Sequence, residues 1–192
     1  MSVRKPEFVT GYTVPVHGTR VPNEIVLHCT EGRGTVEGFS HYFHTTQEQL
    51  GINFLAEENG RIGMYGKLTD KTYHVANHNS ECVGIEQVGF AKTSKLGWLA
   101  KRRQLYVTAW TVAWIADQLG WDSIERGGSD KTGRVFLHNH GLTQHKWVPD
   151  NDHDDCGPNY PFDLVLSLAN KWLKNGGPTF STRFLIKFGN RP

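Results

Sequence analysis

Residues 24–29 read EIVLHC, an unbroken apolar run of Ile25, Val26 and Leu27 with a histidine, His28, near its end. A half-exposed strand would alternate polar and apolar side chains. A short continuous run rich in branched residues instead predicts a strand buried on both faces, as in a parallel sheet covered by helices. His28 is then a polar ring at the edge of a core, where it must find a hydrogen-bond partner or coordinate something. CVGIEQV, residues 82–88, repeats the strand pattern and sets the carboxylate of Glu86 in similar surroundings, which is costly unless the group has a partner or a task.

Outward from these two runs, the elements alternate in type. Thr35 is placed to cap a helix carrying Val36, Phe39 and Phe43 at helical spacing and ending near Gly51. INFLAEE and RIGMY, joined by Asn59 and Gly60, predict a hairpin. KRRQLYVTAWTVAWIADQLG, residues 101–120, is the longest helical pattern, with Leu105, Ala109, Val112, Ala113, Ala116 and Leu119 as its apolar stripe and Gly120 as its stop. VFLHN predicts a further strand, followed by a polar, ligand-rich loop to Pro161. A last helix over 161–174 carries Phe162, Val165, Leu166, Ala169, Trp172 and Leu173 on one face. The fold class this predicts is α/β: a single domain with a central mixed β-sheet flanked by helices.

The 192 residues suit one domain. No apolar run approaches the roughly 20 residues of a membrane helix, and MSVRKPEFVTGY lacks the apolar stretch of a secretory signal, so synthesis in the cytoplasm is expected. A formal charge of +2 is too small to point to nucleic acid. Cys29, Cys82 and Cys156 are odd in number and widely spaced, giving neither a disulfide framework nor a CxxC metal pair.

The ten histidines are the anomaly. HNHGLTQHKWVPDNDHDDCGPNYPFD, residues 138–163, gathers four of them with four aspartates before Cys156 and that cysteine, a metal-site composition. A catalytic zinc needs three protein ligands and an open fourth position, and a ligand on a central strand such as His28 supplies rigidity. His41 with His44, and His138 with His140, are spaced to share a face, but nothing else in the sequence supports them as ligands.

IVLHCT, the CVGIEQVG strand and HKWVPDNDHDDCGPNYPFD together resemble the zinc amidases that include phage endolysins, type 2 N-acetylmuramoyl-L-alanine amidases and peptidoglycan recognition proteins, over about residues 22–173. The resemblance implies their fold and one Zn2+ per chain, held by His28, His145 and Asp155. The family often has Pro after the last ligand. Here Cys156 stands there, so Cys156, a softer and intrinsically better zinc ligand, is the alternative third ligand.

Glu86 of the GIE motif is the implied general base facing the zinc-activated water, and His153, two positions before Asp155, the implied donor to the oxyanion. Asp150, Asp152 and Asp154 would favour its protonated form. HVANHNSE resembles the stretch that lines the substrate groove, which marks His74, His78 and Asn79 for substrate contact. Ile52 stands where some phage members have Tyr and argues against a Tyr-assisted mechanism.

The implied function is hydrolysis of the amide between N-acetylmuramoyl residues and L-alanine of bacterial peptidoglycan, in phage-driven lysis, by a monomer that binds neither nucleic acid nor membrane and reaches the wall after membrane permeabilisation. The alternatives are a non-catalytic peptidoglycan-binding module, a bacterial wall-recycling amidase and a thiol hydrolase using Cys29 or Cys156. The domain boundaries expected are 1–21 for an N-terminal extension, 22–175 for the zinc amidase catalytic domain and 176–192 for a tail that forms an edge strand, a wall-contacting arm or a disordered end.

Overall fold

A computed structural model of the chain describes residues 2–129, 135–136, 140–149 and 152–188. His138, Asp150 and residues 189–192 of the tail lie outside them. In chain order the elements are β1 (Phe8–Val9), β2 (Glu24–Cys29), α1 (Val36–Thr45), β3 (Phe54–Ala56), β4 (Ile62–Met64), β5 (Cys82–Gln87), α2 (Lys95–Ala100), α3 (Arg102–Gln118), β6 (Glu125–Arg126), β7 (Gly128–Ser129), β8 (Val135–Phe136), β9 (Gly141–Gln144), α4 (Phe162–Asn175) and α5 (Phe180–Phe188).

Seven strands form one sheet in the order β1-β4-β3-β5-β2-β9-β6, and β7 pairs with β8 apart from it. Within the large sheet β3 and β4 are antiparallel and the other described pairings are parallel. The chain is therefore α/β, with a mixed sheet flanked by helices.

All six residues of β2 are buried, as the EIVLHC run predicts for a central parallel strand. Ile25 and Leu27 face the layer of α3 and α4, where they join Val83, Ile85, Phe54 and Leu142 in the main core. On the other face α1 lays Val36 and Phe43 over Ile52, Leu55 and Tyr65, and a smaller group of Val26, Val75, Cys82 and Val148 continues the cover. The longest helix, α3, is buried around most of its circumference, Trp110 and Trp114 included as well as the predicted stripe from Leu105 to Ala116, because α4 and α5 cover the side turned from the sheet, while Leu119 caps the helix half-buried.

Thr35 caps α1 by accepting from the Gly38 amide at 3.2 Å. The helix stops at Thr45, short of the expected Gly51. No apolar residue follows Phe43 until Leu50, so a further turn would have nothing to bury. The β3–β4 turn holds Gly60 at φ +89°, a conformation that favours glycine.

Two segments differ from expectation. The ligand-rich stretch contains a strand, β9, with only Leu142 apolar, which forms by pairing along β2. The tail, read as a strand, arm or disordered end, instead forms the helix α5, whose Ile186 enters the main core. At the other terminus Val3 is also in that core, and the Trp110 indole donates to the Arg4 carbonyl at 2.7 Å.

Leu27 is fully buried between β5 and β9. Leu27→Ala should lower unfolding free energy by about 2–5 kcal/mol, read from urea denaturation with an unchanged m-value.

Candidate metal centre

The sheet register brings the site together. His28 lies directly opposite Glu86 on β5, and Leu27 lies opposite Gln144 on β9, so His145 follows at the level of His28. Paired residues of parallel strands share a face, and alternate residues take opposite faces. With Leu27 in the helix-side core, His28, Glu86 and His145 are set on the α1 side, at the carboxyl ends of three adjacent strands. His28 and His145 are both buried, and their Nδ1 atoms stand 3.1 Å apart.

Asp155 arrives on a loop, and several bonds pin it. Its carbonyl accepts from the Lys146 amide at 2.9 Å, its Oδ2 accepts from the Cys29 amide at 3.2 Å, and the Gly157 amide donates to the Asp154 carbonyl at 2.7 Å. Gly157 has φ +85°, and a Cβ there would fall 2.0 Å from the Ala91 carbonyl oxygen, so the loop returns to the core where only glycine fits. The Asp155 carboxylate lies 3.1 Å from His145 Nδ1 through Oδ1 and 3.4 Å from His28 Nδ1 through Oδ2. One ligand atom from each of the three residues falls within 4.8 Å of the others.

Cys156 points the other way. Its sulfur is fully buried, 3.7 Å from the Gln87 amide nitrogen, and among the described residues it is outside the converging group. Burial, reinforced by the Cys29 thiol beside it, pushes its pKa well up, so the thiolate that a metal or a nucleophilic mechanism needs is disfavoured.

Burial holds the His28 imidazole down to about 4, with the Asp155 hydrogen bond opposing and the His145 charge assisting. For Asp155 burial acts upward, but the bonds to His145 and His28 outweigh it and hold the carboxyl far below the usual range. A neutral His28 and an ionised Asp155 are the protonation states a divalent ion requires. Two histidines and one carboxylate also match the ligand types and number of a catalytic zinc site.

The three residues lie in a cleft of about 800 Å³, walled by Tyr42, Leu50, Lys71 and Tyr73 among others. Glu86 also lines it, and its Oε2 is buried without a hydrogen-bond partner among the described residues. Burial first, then the charges of Asp155 and Glu31, raise its carboxyl well above the ordinary range. His153 stacks on His145 with centroids 4.2 Å apart, its side chain 60% exposed, 3.7 Å from both Asp152 and Asp155. Tyr42 and Tyr73 carry no local signal and are identifiable as cleft walls only once α1 and the segment before β5 are packed.

His74 and Asn79 also line the cleft, but their polar atoms are engaged with the protein. Asn79 accepts from the His74 and Val75 amides at 2.8 Å each, and the His74 ring sits between His28 and the Cys82 carbonyl. His78 is 3.8 Å from Glu81 and is not part of the cleft lining. Of the other histidines, His44 bonds Thr13 at 3.0 Å and His140 stacks on Trp121.

These shifts give the metal-free protein a defined acid response. His28 and His74 both have depressed values in the fold, so from pH 6.5 toward 4 the unfolded chain binds protons that the folded one refuses, and stability should fall. Glu86 acts oppositely, because the fold keeps its proton above the normal carboxylate range. Urea unfolding in chelator should therefore show stability declining over that window, and more steeply in Glu86→Gln.

Residues 18–158 match the family model described as N-acetylmuramoyl-L-alanine amidase. No curated protein sequence matches the chain. Among solved structures, the N-acetylmuramoyl-L-alanine amidase LysC from Clostridium intestinale URNW is similar at a TM-score of 0.64 and 17% identity, covering 86% of this chain and 99% of its own. The Staphylococcus aureus hydrolase AmiA in complex with its ligand gives 0.65 and 17%, covering 99% and 89%. The complex of peptidoglycan recognition proteins LCa and LCx with tracheal cytotoxin gives 0.52 and 17%, covering 84% and 88%. At these identities the structures speak for the fold, whereas the family model spans most of the chain, which belongs to the N-acetylmuramoyl-L-alanine amidase family.

Proposed function

We propose that this chain is a zinc-dependent amidase that hydrolyses the bond between the lactyl group of N-acetylmuramoyl residues and L-alanine in bacterial peptidoglycan. The reading is carried by one observation: Glu86 stands opposite His28 in the register, beside a buried His28–His145–Asp155 group at the floor of an open cleft. His28, His145 and Asp155 would hold one zinc ion per chain, which supplies Lewis acidity to activate water and polarise the scissile carbonyl.

The chain's own groups do the rest. Glu86 takes the proton of the attacking water and returns it to the leaving L-alanine nitrogen, for which its unpartnered, cleft-lining carboxylate is suited. His153, exposed beside the trio, donates to the oxygen on which charge develops. No covalent enzyme intermediate is needed. The catalytic domain expected over 22–175 acts as a monomer, with β1, Val3 and Ile186 of the flanking segments packed onto its sheet and core. Phage-driven lysis, with the protein made in the cytoplasm and released to the wall, is the setting we favour, and among the described residues no helix is long and apolar enough to cross a membrane.

Purified peptidoglycan incubated with the protein should yield new L-alanine amino termini, a release abolished by chelator and restored by zinc. Glu86→Ala should slow release about 10²–10⁴-fold with bound zinc retained, and His153→Ala about 10²-fold. New reducing ends without new amino termini, or cosedimentation with the wall without any release, would overturn the amidase reading.

A further inference from the structure

We propose that His74 is a positioning residue: it fixes the tautomer of His28 so that Nδ1, the nitrogen facing His145 and Asp155, carries no proton. The inference rests on the metal-holding role given to His28 above.

The hydrogen bonds that link Cys82, His74 and His28 have one possible direction. His74 Nε2 lies 3.2 Å from the Cys82 carbonyl oxygen. A carbonyl only accepts, so the hydrogen is on His74 Nε2, and in a neutral imidazole the other nitrogen, Nδ1, is then bare. That bare Nδ1 lies 3.0 Å from His28 Nε2, with the two rings nearly perpendicular at 81°. His28 therefore donates from Nε2, and its own Nδ1 is left as a lone pair, 3.1 Å from His145 Nδ1 and 3.4 Å from Asp155 Oδ2.

Without His74 the choice would reverse. A proton on His28 Nδ1 would have Asp155 Oδ2 to receive it, and the nitrogen needed for a metal would be blocked. A proton on Nδ1 with His74 in place would instead set two lone pairs against each other at 3.0 Å.

The surroundings hold this ring with unusual thoroughness. The His74 amide is bound by Asn79, and the guanidinium of Arg20 donates to the carbonyls of both Asn79 and Cys82, as well as to Asn53. The space for the ring comes from Gly84. A Cβ there would fall 2.9 Å from Nδ1 and Cε1 of His74 and 2.1 Å from Ile52 Cδ1. The glycine two positions before Glu86 is thus the seat of the ring that orients the metal-facing histidine.

The test has readouts that do not depend on turnover. In the metal-free wild type, nitrogen NMR of the histidine rings should show His28 protonated at Nε2, with a scalar coupling through the N–H···N bond to His74 Nδ1. His28 protonated at Nδ1 would overturn the proposal without any variant. By chelator competition, His74→Phe, which keeps the ring volume and loses the acceptor, should bind zinc about 10–100-fold more weakly. It should also move the His28 proton to Nδ1.

His74→Asn, which keeps an acceptor oxygen near the position of Nδ1, should recover most of that affinity. Unchanged zinc affinity and an unchanged tautomer in a folded His74→Phe would sink the idea. If wild type binds no zinc, the functional reading fails, and the ring tautomers still decide the relay separately.

Discussion

The parallel register of β5, β2 and β9 is the constraint from which the site follows. Because His28 is paired with Glu86 and stands level with His145, which opens the short 3-10 turn after β9, three polar side chains reach the same end of the sheet on the same face. A slip of one residue would send each of them into the helix-side core and bring Leu27 and Ile85 into the cleft. The apolar runs around the three residues resist such a slip, since burial of Ile25, Leu27, Val83, Ile85 and Leu142 stabilises only one alignment.

The same burial gives the site its electrostatic character. Removing the trio from water pushes His28 toward neutrality and Glu86 toward its protonated form, while Asp155 remains ionised because two imidazoles and the Cys29 amide address its oxygens. A buried carboxylate with one oxygen unpartnered is a burden in a protein selected for stability alone. That burden sits beside the converging ligands in an open cleft, where a proton carrier is of use.

Much of this was readable in the sequence wherever the signal is local. Continuous branched residues marked β2 and β5, Thr35 marked a helix start, and Asn59–Gly60 marked the hairpin, because each rests on neighbours within a few positions. β9 was not readable. Its four residues hold one apolar side chain and become a strand only because β2 offers an unpaired edge. The helical tail is illegible for a related reason: its amphipathic pattern is short, and the surface of α3 that receives it lies far away in sequence. The role of His74 depends on contacts with His28 and Cys82, which spacing along the chain cannot reveal.

The choice between Asp155 and Cys156 shows how the two faces of the sheet share one loop. Asp155 turns to the cleft and is fastened by Cys29 and Lys146. Cys156 turns to the helix side, where the Gln87 amide approaches its sulfur and Tyr160 donates to the Gln87 side-chain oxygen at 2.8 Å, with Thr108 of α3 sharing that oxygen. The stronger zinc ligand by intrinsic chemistry is thus spent as a buried anchor. Turning it to the metal would leave Gln87 facing a void and release Asp155 from the Cys29 amide. Ligand identity here is set less by affinity of sulfur against oxygen than by which neighbour the core can do without.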